Sequence, residues 1–293
     1  MSVSIAGTLQ GMDPRSELGA FLRSRRARLR PEDVGLPDFG RRRVPGLRRE
    51  ELAQLAGVSA DYYVRLEQGR DIHPSEGVLD AIARALRLDD AERAHLHRLV
   101  KPRPRIRRAA PAQRARPGVQ RLLDAMERTP AFVVGRRMDV LAWNRMAATL
   151  MSDFAELPRE RRNMLRHVFL DPASHELYPD WEVVAEETVA YLRLATGIDP
   201  DDADLAALVG ELTLNSGVFA QLWTRHDVRE KTHGSKRFAH PLVGPMTLEY
   251  ETLTLPDPGQ VLVTYTAEPG SRSAEALDLL GSLAYSEAAS STR

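Results

Sequence analysis

The stretch that decides the fold of the N-terminal half is residues 49–70, which read REELAQLAGVSADYYVRLEQGR. Apolar residues recur from Leu52 onward at the spacing that places them on one face of a helix. Gly57 supplies the positive φ that a tight turn requires, and Ser59 follows as the N-cap of a second helix. Gly69 is typical of the residue at which such a helix ends. The stretch therefore predicts two short helices joined by a tight turn.

Further short helices are predicted before and after this pair in the sequence. Apolar residues recur at helical spacing, and Gly, Pro or a capping Asp separates the segments. The predicted helices cover about 16–29, 48–56, 59–68, 75–87 and 89–100, with a long basic loop at 31–47. The pattern predicts an all-α domain.

Residues 57–86, which read GVSADYYVRLEQGRDIHPSEGVLDAIARAL, resemble the xenobiotic-response-element family of helix-turn-helix regulators. The resemblance covers about residues 15–100, and it departs from compact repressors at the long loop 31–47. It implies a DNA-binding domain whose second helix lies in the major groove. A helical hairpin that contacts another protein is the alternative.

The resemblance assigns roles to individual side chains. Ala60, Asp61 and Arg65 would face base edges, where they suit a thymine methyl, a cytosine amino group and guanine. Contacts to phosphates, which fix the register, are expected from Arg49, Ser59, Tyr62 and Arg70. The triplet at 41–43 either enters a minor groove or is a solvated part of the loop.

The charge distribution agrees with a polyanionic partner for the first half of the chain. Residues 1–116 carry 24 Lys and Arg against 15 Asp and Glu, a net charge of +9, and the remainder carries −9. Two solvated surfaces of opposite charge are the alternative.

The 293 residues include no Cys, and no apolar run approaches the roughly 20 residues of a membrane helix. A cytoplasmic, nucleoid-associated protein without a membrane partner is expected.

A domain boundary is predicted where the sequence KPRPRIRRAAPAQRARPG, rich in Arg and Pro, forms a semi-rigid linker. The predicted organisation is a tail at 1–14, a helix-turn-helix domain at 15–100, the linker at 101–118, a second domain at 119–285 and a tail at 286–293.

The second domain is predicted to be α+β, because segments of strand pattern at both of its ends enclose segments of helical pattern. The predicted strands are 131–134, 139–143, 246–253 and 261–266, and the predicted helices are 119–128, 145–155, 159–169, 181–196, 202–214, 216–224 and 273–283.

Two stretches of the second domain resemble the ligand-binding domain of MmyB-like actinobacterial regulators. They are residues 129–144, TPAFVVGRRMDVLAWN, and residues 223–241, WTRHDVREKTHGSKRFAHP. The resemblance runs over nearly all of the domain, and the high Arg and Ala content agrees with a high-GC genome. It implies a PAS-like fold, in which a five-stranded sheet with helices over one face encloses an apolar pocket. It also implies homodimers and fatty-acid-like ligands.

Candidate ligand-binding residues are aromatic side chains beside polar groups that could orient a ligand. The aromatic candidates are Trp143, Phe169, Tyr178, Trp181, Tyr191, Phe219, Trp223, Phe238, Tyr250 and Tyr265, and the polar candidates are Asn144, His226, His233 and Arg237. For any single aromatic residue, a place in the core is the simpler interpretation. The favoured candidates are the pair Trp143-Asn144 and the segment 223–240.

No cofactor or metal site is expected. Three histidines recur every seven residues at positions 226, 233 and 240, but Gly234 and Pro241 argue against a continuous helix that would align them. No phosphate-binding loop, nucleophile elbow or triad spacing occurs, so an enzyme is not expected.

The predicted function is therefore a sequence-specific transcription regulator, and a repressor rather than an activator. Its affinity for operator DNA would change when an apolar or fatty-acid-like effector binds the second domain. The alternative is a DNA-binding regulator whose second domain only dimerises the protein or recruits a protein partner.

Overall fold

The computed structural model describes residues 14–36, 46–70, 74–100, 113–196, 202–228 and 231–291. The chain divides into two compact units. The first comprises Met1–Ala109, Arg193–Glu211 and Gln221–Glu230, and the second comprises Ala110–Leu192, Leu212–Ala220 and Lys231–Arg293. Two segments that the sequence placed in the second domain thus belong to the first unit. The Arg triplet at 41–43 and most of both the first tail and the linker lie outside the described residues.

The N-terminal part of the first unit is helical, as predicted. Its helices are α1 Pro14–Arg28, α2 Arg49–Ala56, α3 Ala60–Glu67, α4 Glu76–Ala85 and α5 Asp90–Val100. Each begins and ends within two residues of its prediction. A 3-10 turn, Pro31–Val34, occupies the start of the segment predicted as a loop.

The apolar faces of these helices meet in one core. Its buried side chains include Phe21, Leu22, Leu47, Leu52, Tyr63, Leu66, Ile82 and Leu96, and Val228 joins them from a distant part of the chain. A fully buried side chain of this size stabilises the fold by about 1.5–3 kcal/mol. The core therefore holds α3 in place while its outer face stays exposed.

The second unit contains a five-stranded antiparallel sheet. Its strands are β1 Ala131–Val134, β2 Val140–Trp143, β3 His233–His240, β4 Gly244–Thr254 and β5 Val261–Thr266. They are ordered β2-β1-β5-β4-β3. The sheet has the five strands that the PAS-like resemblance implies, and the C-terminal half is α+β as predicted. Only β3 was not read from the residue pattern.

Eight α-helices and a 3-10 turn, Arg159–Arg161, complete the described part of the chain beyond residue 113. They are α6 Pro117–Asp124, α7 Arg145–Leu150, α8 Met164–Leu170, α9 Ala173–Leu177, α10 Trp181–Thr196, α11 Ala203–Asn215, α12 Gly217–Thr224 and α13 Arg272–Ser291. By the division into units, α10, α11 and α12 each contribute residues to both. α6 begins inside the predicted linker, because Pro117 suits the first position of a helix. α13 extends into the predicted C-terminal tail. Within the described residues no helix has the length and apolar character to cross a membrane.

Candidate functional site

The turn between α2 and α3 has the backbone geometry that the sequence predicts. Gly57 has φ 67° and ψ 30°, in the left-handed region that glycine adopts at no Cβ penalty. Its N–H donates to the carbonyls of Ala53 and Gln54 and ends α2. The Oγ of Ser59 accepts a hydrogen bond from the N–H of Tyr62 at 3.2 Å, so Ser59 is the N-cap of α3.

A buried carboxylate holds α3 against α1 and α2. Glu67 is fully buried, and its oxygens accept hydrogen bonds from Nε of Arg26 at 3.0 Å and from Nε of Arg49 at 2.9 Å. Burial alone would raise the pKa of Glu67, but these two guanidinium groups lower it below its ordinary value. Arg49, predicted to contact phosphate, is therefore also a structural partner. About two-fifths of its side chain stays exposed.

The outer face of α3 carries the residues predicted to face bases. Asp61 and Arg65 are exposed and lie four residues apart on one side of the helix, with Ala60 half-buried beside them. Of the predicted phosphate contacts at the ends of this helix, Ser59 and Arg70 are exposed and Tyr62 is half-buried. The structure thus leaves Asp61 and Arg65 accessible on the outer face of α3. Their individual contacts with DNA stay predictions.

The first unit also contains a buried charged cluster, to which α1 contributes Glu17. Arg193 is almost completely buried; one of its nitrogens pairs with Glu17 and lies 2.9 Å from Nδ1 of His226. Its guanidinium carbon lies 3.9 Å from the ring centre of Trp223. Burial would raise the pKa of Glu17, but His226 and Arg193 outweigh this effect and lower it to about 2. We name these four residues the Arg193 cluster.

The segment that follows Trp223 is hydrogen-bonded to α1. The hydroxyl of Ser24 donates to the carbonyl of Arg225 at 2.7 Å, and Arg28 pairs with Asp227. Val228 is buried in the core of the first unit. Two residues predicted as ligand contacts, Trp223 and His226, therefore belong to the packing around α1, which the sequence did not reveal.

The other aromatic candidates lie in the second unit, where most rings form a connected series. Consecutive ring centres are 5.3–6.4 Å apart in the order Trp143, Phe154, His167, Tyr178, Phe238 and Tyr265. Tyr250 packs against Tyr265 at the end of the series. A second group is formed by Phe169 with Trp181 and Phe219. Tyr191 is half-buried.

The predicted polar candidates of the second unit do not converge on these rings. Asn144 caps α7, and its amide makes four hydrogen bonds, with Met126, Thr129, Ala131 and Ala147. These bonds hold the β1–β2 hairpin and give Asn144 a structural role. His233 and Arg237 are exposed on β3, and Arg237 pairs with Asp180. Ligand contacts of these three residues stay predictions.

Polar groups that the sequence analysis did not select do reach the aromatic series. Lys236 is buried, and its Nζ donates to the hydroxyl of Tyr265 at 3.3 Å. The hydroxyl of Tyr178 lies 3.2 Å from Nε2 of His167, whose Nδ1 is 3.3 Å from Asp171. The hydrogen bond from His167 holds the pKa of Asp171 below its usual range. Across the described residues, no three His, Asp or Glu side chains form a group that could hold a metal ion.

A capped helix-turn-helix in one unit and an α+β domain in the other define a class of protein, the two-domain DNA-binding regulators. A family model described as a helix-turn-helix domain matches residues 17–96, and one described as the MmyB-like transcription regulator ligand binding domain matches residues 115–280. The second match covers more than half of the chain, and the chain belongs to the family of MmyB-like transcription regulators. No curated protein matches it.

Both resemblances drawn from the sequence are therefore confirmed. The protein is a DNA-binding transcription regulator with a ligand-binding domain of the MmyB-like family. Both families are domains of transcription regulators, which points away from an enzyme.

Proposed function

We propose that the protein is a homodimeric repressor whose affinity for a near-palindromic operator changes when an apolar or fatty-acid-like molecule binds the second unit. The exposed face of α3, with Arg65 and Asp61 on one side, supports major-groove recognition. The buried aromatic series supports an apolar ligand, since ligand sites are lined mainly by aromatic and apolar groups with a few polar ones.

The Arg193 cluster is the observation that carries this proposal. Arg193, Trp223 and His226 all fall inside the match to the ligand-binding domain, yet they pack with Glu17 of α1 in the DNA-binding unit. α1 in turn is joined to α3 through Arg26 and Glu67. A ligand that favours one position of the cluster over another would therefore change the support of the recognition helix.

The first experiment is native mass spectrometry of the purified protein, followed by denaturation to release bound molecules. It reports the oligomeric state and the mass of any ligand together. A dimer with a stoichiometric small molecule is expected. A monomer without ligand, even after incubation with alkyl ligands, would contradict the proposal and favour a domain that only recruits a partner.

The second experiment measures operator binding. A duplex selected from a random pool is titrated with the full chain by fluorescence anisotropy, with and without ligand. Allosteric coupling of ordinary size changes the affinity about 5- to 150-fold, and a repressor released by its effector binds more weakly when the ligand is present. Tight ligand binding that leaves operator affinity unchanged would refute the mechanism.

A pair of variants tests the route of coupling. Glu17→Gln removes the charge that Arg193 meets in the cluster, and we expect it to reduce the effect of ligand on operator binding while ligand affinity persists. The matched control is Glu76→Gln, which removes an exposed carboxylate from the first turn of α4. Equal ligand effects in both variants would mean that the cluster does not transmit the signal.

A further inference from the structure

One edge of the second unit is formed by four segments that meet at Gln113. The side-chain amide of Gln113 donates to the carbonyl of Pro258 at 2.8 Å and accepts from the N–H of Arg136 at 2.9 Å. Its main-chain carbonyl accepts from the guanidinium of Arg159 at 3.3 Å. Gly135 makes room for this side chain, because a Cβ there would lie 2.5 Å from its Oε1. We name the four segments the basic edge, which comprises residues 113–116, 135–139, 159–166 and 257–260.

The basic edge is dense in arginine. Its four segments contain eight Arg against three acidic residues, although the chain after residue 116 carries a net charge of −9. The arginines are Arg114, Arg116, Arg136, Arg137, Arg159, Arg161, Arg162 and Arg166. A concentration of positive charge on one side of a domain attracts polyanions. The basic edge therefore differs in sign from the half of the chain to which it belongs.

Only part of this positive charge is neutralised within the unit. Arg116 pairs with Asp257 at 2.6 Å, and Arg137 lies 3.4 Å from Asp139. Four other arginines form no ion pair with a carboxylate in the part of the chain that the structure describes: Arg114, Arg159, Arg161 and Arg162. The basic edge thus has guanidinium groups available for an external anion.

Carbonyl groups orient two of these four side chains. Arg162 donates to the carbonyls of Leu157 at 2.9 Å and Ala155 at 3.3 Å, and its guanidinium carbon lies 5.2 Å from the ring centre of Trp143. Arg159 is held by the carbonyl of Gln113. A neutral carbonyl fixes the position of a guanidinium and leaves its charge uncompensated. Less side-chain entropy is then lost when the guanidinium meets an anion.

We propose that the basic edge is a second DNA-contacting surface, which binds the phosphate backbone of the duplex outside the sequence that α3 reads. The planar guanidinium suits phosphate oxygens, and phosphate contacts add affinity without reading sequence. DNA is the favoured polyanion because the protein is a DNA-binding regulator. The inference goes beyond the proposed function and does not depend on its ligand.

The test compares two duplexes that share one selected operator. The short duplex contains the operator alone, about 20 base pairs for two half-sites one helical turn apart, and the long duplex adds about two turns of random sequence at each end. Binding of the full chain without ligand is measured by fluorescence anisotropy over a range of salt concentrations. Each contacted phosphate contributes about −0.9 to the slope of log K against log salt. The wild type should bind the long duplex more tightly and with the steeper slope.

A double variant removes charge from the basic edge. Arg114→Gln with Arg161→Gln replaces two exposed side chains, and on the long duplex it should make the slope shallower by about 2 per protomer. Its binding to the short duplex should not change. Arg114→Lys with Arg161→Lys retains the charge and should retain the slope. The matched control is Arg128→Gln with Arg272→Gln, which removes the same charge from exposed positions outside the basic edge and should leave both slopes unchanged.

Three results would overturn the proposal. Equal slopes of the wild type on the two duplexes would show that no phosphate outside the operator is contacted. Equal losses in the Arg114/Arg161 variant and in the control would mean that net charge alone is responsible. A loss of equal size on both duplexes would place the contact inside the operator. Since no ligand is added, none of these results bears on ligand sensing.

Discussion

Glu67 offers a sharp test of how the recognition helix is supported. This carboxylate is fully buried at the end of α3 and receives hydrogen bonds from Arg26 of α1 and Arg49 of α2. The substitution Glu67→Gln preserves the shape of the side chain and removes its charge. It leaves the guanidinium of Arg26, whose side chain is only 11% exposed, without its partner carboxylate.

The expected loss follows from the burial of that pair. Removing one partner of a buried ion pair costs about 3–5 kcal/mol, because the other charge remains buried and uncompensated. This is a large share of the roughly 5–15 kcal/mol that stabilises a typical domain. The pKa of Glu67 is lowered in the folded state. Its contribution is therefore complete above the pKa of an unfolded glutamate and is lost as the pH falls through the folded value.

Hydrogen exchange of the full chain, measured by mass spectrometry at neutral pH, resolves this effect by region. Peptides from α1 to α3 should lose protection by a factor of about 100 to several thousand, since each 1.4 kcal/mol is a factor of ten. The matched control is Glu50→Gln on α2, where the carboxylate is exposed, and it should change stability by less than about 0.5 kcal/mol. Equal protection in the two variants would refute the role of Glu67.

Three further predictions concern the first unit. Arg65→Ala should weaken binding to the selected operator by about 1–3 kcal/mol while affinity for random duplex changes little, and equal losses on both DNAs would contradict base recognition. Gly57→Ala should destabilise the unit by about 1–2 kcal/mol in urea titrations, because a φ of 67° is unfavourable for a residue that carries a Cβ. That Cβ would meet no other atom, so the cost is one of backbone conformation. Gly77→Ala in α4 is the control and should not be destabilising. His95 is buried with neither ring nitrogen hydrogen-bonded, and burial lowers its pKa to about 3. Below the unfolded pKa of about 6.5 the unfolded chain binds a proton that the folded chain does not, so stability should fall by about 2 kcal/mol towards pH 5. His95→Leu should remove that part of the pH dependence, and an unchanged urea midpoint profile would contradict it.

Local signals made helices α1 to α5 predictable from sequence, and the absence of such signals hid one strand of the second unit. The turn at Gly57 and the cap at Ser59 are encoded by single residues whose conformational preferences are strong. Strand β3 lacks such a signal. Its buried positions include Lys236 and His240, and these polar side chains disguise the alternation that marks a half-buried strand.

The candidate ligand-binding residues show a different limit of prediction from sequence. Trp223 and His226 are candidates because an aromatic side chain and a nearby polar group suit a ligand site, but their partner Arg193 pairs with Glu17, which is 176 positions away in the chain. No local pattern encodes such a contact. Lys236, which also reaches the aromatic series, is not among the sequence candidates, because its burial is not evident from the sequence.

The stretch 223–240 connects, along the chain, residues that pack on α1 with residues that reach the aromatic series. Its first residues, Trp223 to Val228, pack on α1, and Lys231 and Lys236 follow within ten positions. Allosteric coupling usually amounts to about 1–3 kcal/mol, whereas breaking a buried ion pair such as that of Arg193 and Glu17 costs about 3–5 kcal/mol. A ligand held in the second unit would therefore not need to break the Arg193 cluster. In the proposed mechanism, a small difference in the affinity of the ligand for two positions of this stretch would change how α1 supports the recognition helix.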